Sequence, residues 1–362
     1  MHAIISTLLL GLFTTILAQD NDIGVQLDGK GPVIATNFPD PCLAFDKSTD
    51  TWYAFSTQSG KTNVQMATSQ DFSNWTLHAN HDALPTVGSW AVPSPNAEVW
   101  APDVNQRPDG SWVMYYAALH RRRQSRKHCI GAAISQTIEG PYVPLDTTIV
   151  CDLPHGGNID PNLFLDPLNG AAYLVYKTDG DTIGHGGACG NTVAPVAPTP
   201  LYMQLLNPED LTTPVGERIF LFSNGPEDGP NVERPCMVFL NGTYFMLYNS
   251  YCFQDLSYRV NYVSCVAASD VTMCDWPNLK AQQSVWRTPL LKTGDTRADL
   301  HAPGSVDTVG DRMVFHADVN LAYFDPPKKG RGQQVKRDRA MFAAVLDMNP
   351  QEGTLKVMGL YP

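Results

Sequence analysis

The sequence predicts an all-β chain folded as a single five-bladed β-propeller, and three observations carry that prediction. With 28 Gly, 28 Pro, 14 Tyr and 14 Phe among 362 residues, the composition favours many short strands joined by turns over a helical bundle. A degenerate unit recurs five times along the chain. Its spacing, 57 to 73 residues between successive markers, suits a three- or four-stranded blade with variable loops and is too long and uneven for a stacked solenoid.

Each unit has the same order of parts: a polar residue near a proline, a short apolar strand, a Gly, Asn or Asp turn, and an aromatic-rich strand. The first runs from Asp40-Pro41 to Thr51-Trp-Tyr-Ala-Phe, the second from Ala101-Pro-Asp103 to Ser111-Trp-Val-Met-Tyr-Tyr. The third leads from Asp160-Pro161 to Ala171-Ala-Tyr-Leu-Val-Tyr, the fourth from Glu233-Arg-Pro235 to Thr243-Tyr-Phe-Met-Leu-Tyr. His301-Ala-Pro303 opens the fifth, which continues to Arg312-Met-Val-Phe-His. A third strand with small residues follows in Met66–Ser69, Ala132–Ser135 and Ala267–Ser269. Proline fits the start of a strand, where no ladder donor is needed.

Charge and the N-terminus narrow the class. The 25 Lys+Arg and 36 Asp+Glu give a net charge of −11, which disfavours nucleic acid and anionic membranes as partners. Residues 1–18 read as a secretory leader, with an apolar stretch from Ile4 to Leu17 too short for a comfortable membrane span and a cleavage point near Ala18. Residues 19–362 are then the propeller, expected to be a monomer. Two sequons, at Asn74 and Asn241, are expected glycosylation sites and agree with secretion. Eight Cys without a CxxC pair argue against a zinc ribbon or thioredoxin motif and leave disulfide connectivity open. Cys42 and Cys236 read as buried small hydrophobes on inner strands, with a cross-blade disulfide as the alternative.

In a propeller the first strand of each blade lines the axis, so Asp40, Asp103, Asp160, Glu233 and His301 are expected to meet in one funnel. Clustered carboxylates raise one another's pKa and cost stability unless they have a use. Glycoside hydrolysis needs such a set: a protonated carboxyl and an ionised carboxylate on opposite sides of an oxocarbenium-like centre. Trp100 would offer a face for a sugar ring, and His155, in the loop His155-Gly-Gly-Asn158, is a candidate sugar contact. The basic run Arg121–Lys127 reads as a solvated hairpin loop, with an acidic polysaccharide such as pectin as its sharper use. Gly184–Gly190 lacks the ending of a phosphate loop and reads as a loop tied by Cys189.

These motifs resemble glycoside hydrolase family 43, the five-bladed propeller glycosidases acting on arabinose- and xylose-containing polysaccharides. The matching pieces are Phe38-Pro-Asp40-Pro, Val99-Trp-Ala-Pro-Asp103, Asn158-Ile-Asp160-Pro-Asn-Leu-Phe, Val232-Glu233-Arg-Pro and Phe315-His-Ala-Asp318. The resemblance implies Asp40 as general base, Asp160 as the carboxylate that tunes the acid, and Glu233 as general acid, in an inverting reaction whose base and acid are far enough apart to admit a water. It implies substrate contacts by Trp100, Asp103, His155 and His301, no required cofactor, and a calcium ion in the central channel with His301 as the candidate ligand. The stretch from Tyr176 to Gly184 with Phe315–Asp318 is similar to the arabinan-directed branch. The implied activity is α-L-arabinofuranosidase or arabinanase on plant cell-wall polysaccharide. The alternatives are a β-xylosidase of the same family, a retaining fructan- or sucrose-cleaving glycosidase, and a carbohydrate-binding propeller without catalysis.

Overall fold

The computed structural model describes residues 31–361 except 123–125, 267–268, 284–288, 296–299, 325–336 and 350–351. The expected leader at 1–18, the centre of the basic run and the residues 267–268 of one small-residue strand lie outside the described residues.

Alternating apolar sequence and turn residues give five antiparallel meanders. Blade one holds β1 (Cys42–Asp46), β2 (Thr51–Ser56), β3 (Gln65–Ser69) and β4 (Thr76–Leu77). Blade two is β5 (Trp100–Gln106), β6 (Trp112–Leu119), β7 (His128–Ser135) and β8 (Val143–Val150). In blade three are β9 (Asn158–Leu165), β10 (Ala172–Thr178), β11 (Leu201–Leu206) and β12 (Ile219–Phe222). Among the described residues blade four has three strands, β13 (Val232–Leu240), β14 (Thr243–Ser250) and β15 (Arg259–Val266), followed by the helix α1 (Trp276–Gln283). Blade five is β16 (His301–Val309), β17 (Arg312–Asp318), β18 (Arg339–Asn349) and β19 (Thr354–Leu360). The five-bladed propeller expected from the repeats is the fold.

Each sheet buries both faces, so the apolar side chains form five clusters, one at each seam between neighbouring blades. The ring closes without a covalent link. Ile34 pairs with Met341 of β18 through two backbone hydrogen bonds of 3.2 and 3.0 Å, and the Phe38 amide donates to the Arg339 carbonyl at 2.8 Å. The segment before blade one is thus held by blade five.

The repeated proline marks a repeated backbone feature. The residues preceding it, Asp40, Ala101, Asp160, Arg234 and Ala302, have φ of 53°, 47°, 58°, 51° and 46°. Proline excludes the right-handed helical region for the residue before it, and the left-handed region costs a non-glycine residue about 1–3 kcal/mol. In blades two to five this residue and its proline form a bulge, since the ladder pairs the residue before them and the residue after them but not these two. A bulge re-aims side chains and needs no donor from proline.

A second layer crosses the axis past this position, with Asp103 and Asn162 two residues on and Asp307 five residues on. The Leu163 amide donates to Asp103 at 2.8 Å, the Met237 amide to Asn162 at 3.2 Å and the Leu43 amide to Asp307 at 2.7 Å. Each bond ties one inner strand to its neighbour. The Asn162 Nδ2 donates to both Asp103 and Asp307, at 3.3 and 3.1 Å. Cys42 and Cys236 complete the layer as buried free thiols rather than a disulfide. Burial first, then the neighbouring Asp307, pushes the Asp103 carboxyl up to about 8.

A carboxyl raised above its unfolded value, about 3.9 for Asp, stabilises the fold fully below that value, and the contribution is lost as pH rises through the folded pKa. Unfolding free energy should therefore decline between about pH 4 and pH 8. Asp103→Asn, which keeps the shape of the protonated acid, should flatten part of that decline in urea titrations across this range. An unchanged slope would refute the assignment.

Candidate active site

Above the axial layer, a cavity of about 330 Å³ opens at the bulged ends of the inner strands. Asp40, Asp160 and Glu233 all line it, together with Trp100, Ala101, Ile159 and Arg234 from the same strand heads. The end of β10 adds Lys177, the second-to-third strand connections add Asp179, Asp181 and Tyr258, and blade five adds Ser305 and Arg339.

The three carboxylates stand in different fields. Asp40 is fully engaged: Oδ1 accepts from the Ser305 hydroxyl at 2.8 Å and from Arg339 at 3.3 Å, and Oδ2 accepts from the Thr57 hydroxyl at 2.7 Å. Burial alone would raise this carboxyl, but the Arg339 and Arg234 guanidinium groups and the Thr57 hydroxyl hold it well below the usual carboxylate range. The His316 Nδ1 accepts from the Asp40 amide at 3.0 Å. Burial, with Arg339 nearby, pushes His316 well below its ordinary value, so a neutral ring serves as an acceptor there. Arg234 carries its charge between two acids: its amide donates to Asp160 Oδ2 at 2.9 Å and its Nη2 to the Asp40 carbonyl at 3.2 Å.

Glu233 has the opposite bias. Its Oε1 accepts from the Tyr258 hydroxyl at 2.7 Å, and its Oε2 from Lys177 at 3.2 Å and Asn231 at 3.3 Å. Burial raises Glu233 to about 7; Lys177 opposes the rise while Asp160 and Asp181 add to it. Burial also raises Asp160, against Arg234 and Lys177. Lys177 is 1% exposed and meets Asp181, Glu233 and Asp179 at 2.9, 3.2 and 3.3 Å. Burial would depress its ammonium, but these carboxylates lift it well above its ordinary value. Gly304 leaves the space that Tyr258 needs: a Cβ there would lie 2.2 Å from the tyrosine ring. The arrangement offers one ionised carboxylate and one carboxyl that holds its proton near neutrality, on one cavity.

Trp100 presents its ring to the cavity and stacks on the buried His128 with ring centroids 3.7 Å apart. Three residues expected at the mouth are placed elsewhere. Asp103 lies two residues beyond the bulge, where its side chain turns into the axial layer and is spent on the Leu163 amide. His155 is exposed on a short 3-10 turn and pairs with Asp152 at 2.7 Å. His301 is buried beside blade five's second strand, its Nδ1 3.3 Å from the Asp318 carbonyl. The surroundings of His301 do not fit a calcium ion. The Asp318 carboxylate is taken by Arg337, and among the described residues the one three-ligand grouping is His120 with Cys129 and Cys151, which are disulfide-bonded. In the basic run, Arg126 pairs with Glu98 at 3.4 Å and Lys127 donates to the Leu153 carbonyl at 2.8 Å.

The sequence model of glycosyl hydrolases family 43 matches residues 30–320. The chain belongs to that family. It is similar, at 29% identity over 144 residues, to an extracellular endo-alpha-(1->5)-L-arabinanase of Thermotoga petrophila. A second relative, extracellular endo-alpha-(1->5)-L-arabinanase 2 of Bacillus subtilis, is 29% identical over 151 residues. These matches cover 32% and 35% of this chain, and each spans 30% of the relative's length. The fold is that of a solved thermostable family-43 glycoside hydrolase, with a TM-score of 0.68 at 19% identity over 93% of this chain and 96% of the other. A family 43 endo-arabinanase from Bacillus licheniformis superposes with a TM-score of 0.62 at 21% identity, covering 91% and 99% of the two chains.

Within this family 43 chain, sequence reasoning missed Arg234, Tyr258, Ser305, His316 and Arg339 as neighbours of the acids. One signal was available: Lys177 ends an otherwise apolar strand, where an unpaired ammonium would be expensive. Lys177→Met removes the cation from the buried Asp179 and the part-buried Asp181 and Glu233. It should cost about 3–5 kcal/mol in urea unfolding and push Glu233 higher still, read as a higher titration midpoint in carboxyl-carbon NMR. A Glu233 midpoint that stays put would show that Lys177 does not govern it.

Proposed function

We propose that this chain is a secreted, inverting glycoside hydrolase that cleaves α-L-arabinofuranosyl linkages in arabinan- or arabinoxylan-type plant cell-wall polysaccharides. The observation that carries the reading is the split between two carboxyl groups on one cavity: Asp40 held ionised by donors and cations, Glu233 raised to about 7. Pairs of titratable groups driven apart by their surroundings mark acid and base assignments.

In this reading Glu233 donates its proton to the leaving glycosidic oxygen, and Asp40 takes a proton from the water that attacks the anomeric carbon from the opposite side. Asp160, held by the Arg234 amide, adds negative charge that keeps Glu233 protonated. Trp100 gives one sugar face an apolar surface. No cofactor takes part. The arabinan preference is supported by the names of the two curated relatives. Secretion is supported by three disulfides, a feature of oxidising compartments, and by the exposed positions of the sequon residues Asn74 and Asn241. The partner is the polysaccharide itself, and the chain acts as a monomer.

Glu233→Gln should lower turnover of linear arabinan by about 10²–10⁴-fold while leaving the thermal unfolding profile cooperative. In the native chain the rate should fall as pH rises through about 7, because Glu233 must carry its proton, whereas Asp40 remains ionised far into acid. Full activity of the Gln variant removes the acid assignment. The first-formed anomer, followed by NMR, should show inversion.

A further inference from the structure

Two of the three disulfides are local. Cys129–Cys151 spans 22 residues within blade two, and Cys265–Cys274 spans 9 residues from the end of β15. Cys189–Cys252 instead joins two blades, across 63 residues. It links the connection between β10 and β11 in blade three to the connection between β14 and β15 in blade four. Cys189 is itself in the cavity wall, and so is Phe253, the residue that follows Cys252.

Phe253 is held from the other side as well. Its carbonyl accepts from Arg337, and the guanidinium groups of Arg337 and Arg339 lie 4.7 and 5.5 Å from its ring centroid. Arg339 continues to the Asp40 carboxylate. The third-blade connection also carries Asp181, which bonds Lys177 at 2.9 Å. The covalent bridge therefore sits between two segments that both reach the carboxylates, and it ties down an aromatic ring at their edge. Beneath them Asn162 donates to Asp103 and Asp307 across the axis.

We infer that the Cys189–Cys252 bridge is a specificity device: it fixes Phe253 as an immovable wall, so that the cavity accepts the end of a sugar chain and not its middle. The inference rests on the glycosidase reading above. A wall that cannot swing outward narrows the cavity at the edge of the carboxylates, and a cavity of this size holds about one or two sugar units. An aromatic ring is suited to the role because it stacks on the apolar face of a sugar while its held position excludes the next residue of the chain.

The test is the product ladder from linear arabinan, resolved by chromatography, for the whole protein and two variants. The native chain should release the shortest sugars from the first minutes. The double variant Cys189→Ser/Cys252→Ser and the single variant Phe253→Ala should each raise the share of longer oligomers by about tenfold. Phe253→Ala keeps the bridge and decides the matter should the double variant fail to unfold cooperatively. Ladders identical to the native one in the folded variants overturn the inference, as does a native ladder that begins with long oligomers. A native chain that cleaves no arabinoside or xyloside, even an activated aryl glycoside, overturns the glycosidase reading and this inference with it.

Discussion

At the head of each inner strand one residue is held at positive φ against the proline that follows, and the site is built on that constraint. An ordinary strand sends successive side chains to opposite faces. In blades two to four the bulge breaks this alternation, so the left-handed residue and the one before it both line the cavity, while the residue two places on turns into the axial layer. Asp40 and Asp160 occupy the left-handed position, whereas Glu233 stands one residue earlier, beside Arg234. The backbone strain, about 1–3 kcal/mol at each position, is offset by the seam clusters and by the inter-strand bonds around the axis.

The axial layer separates two environments that the sequence mixes. On its upper side carboxylates meet cations and hydroxyl donors; within it, Asp103 and Asp307 meet each other and Asn162. One kind of side chain is thus used for two purposes. In the cavity the electrostatic contrast between acids is chemically useful, whereas around the axis a carboxylate serves chiefly as an acceptor for the amide of the neighbouring blade.

Much of the architecture was legible in the sequence because the repeat is written in residues whose roles are local. Proline, the turn glycines and asparagines, and the aromatic second strands each specify geometry within a few residues. The acids were legible for the same reason, being adjacent to the marker proline. What the sequence hid was register and reach. Asp103 shares the proline neighbourhood, but it stands two places past the left-handed residue and turns into the axial layer. His301 has the register of Glu233 relative to its proline, yet its ring is buried beside the Asp318 carbonyl. His155 was placed near the mouth by loop proximity alone, and its own neighbour Asp152 captures it. The cations around Asp40 were hidden by distance, since Ser305 and Arg339 lie 265 and 299 positions away. Disulfide partners were hidden likewise, because spacing alone does not select among connectivities.

That distance has a consequence for how the molecule is made. Asp40 lies in the first blade, yet the Ser305 hydroxyl, the Arg339 guanidinium and the His316 imidazole around it belong to the fifth, and the segment that precedes it is gripped by β18. During synthesis on a ribosome, four blades emerge while this carboxylate still lacks those companions. The nascent polypeptide acquires a working centre only when its late-translated portion returns to clasp the beginning, so assembly of the ring and onset of chemistry are one event.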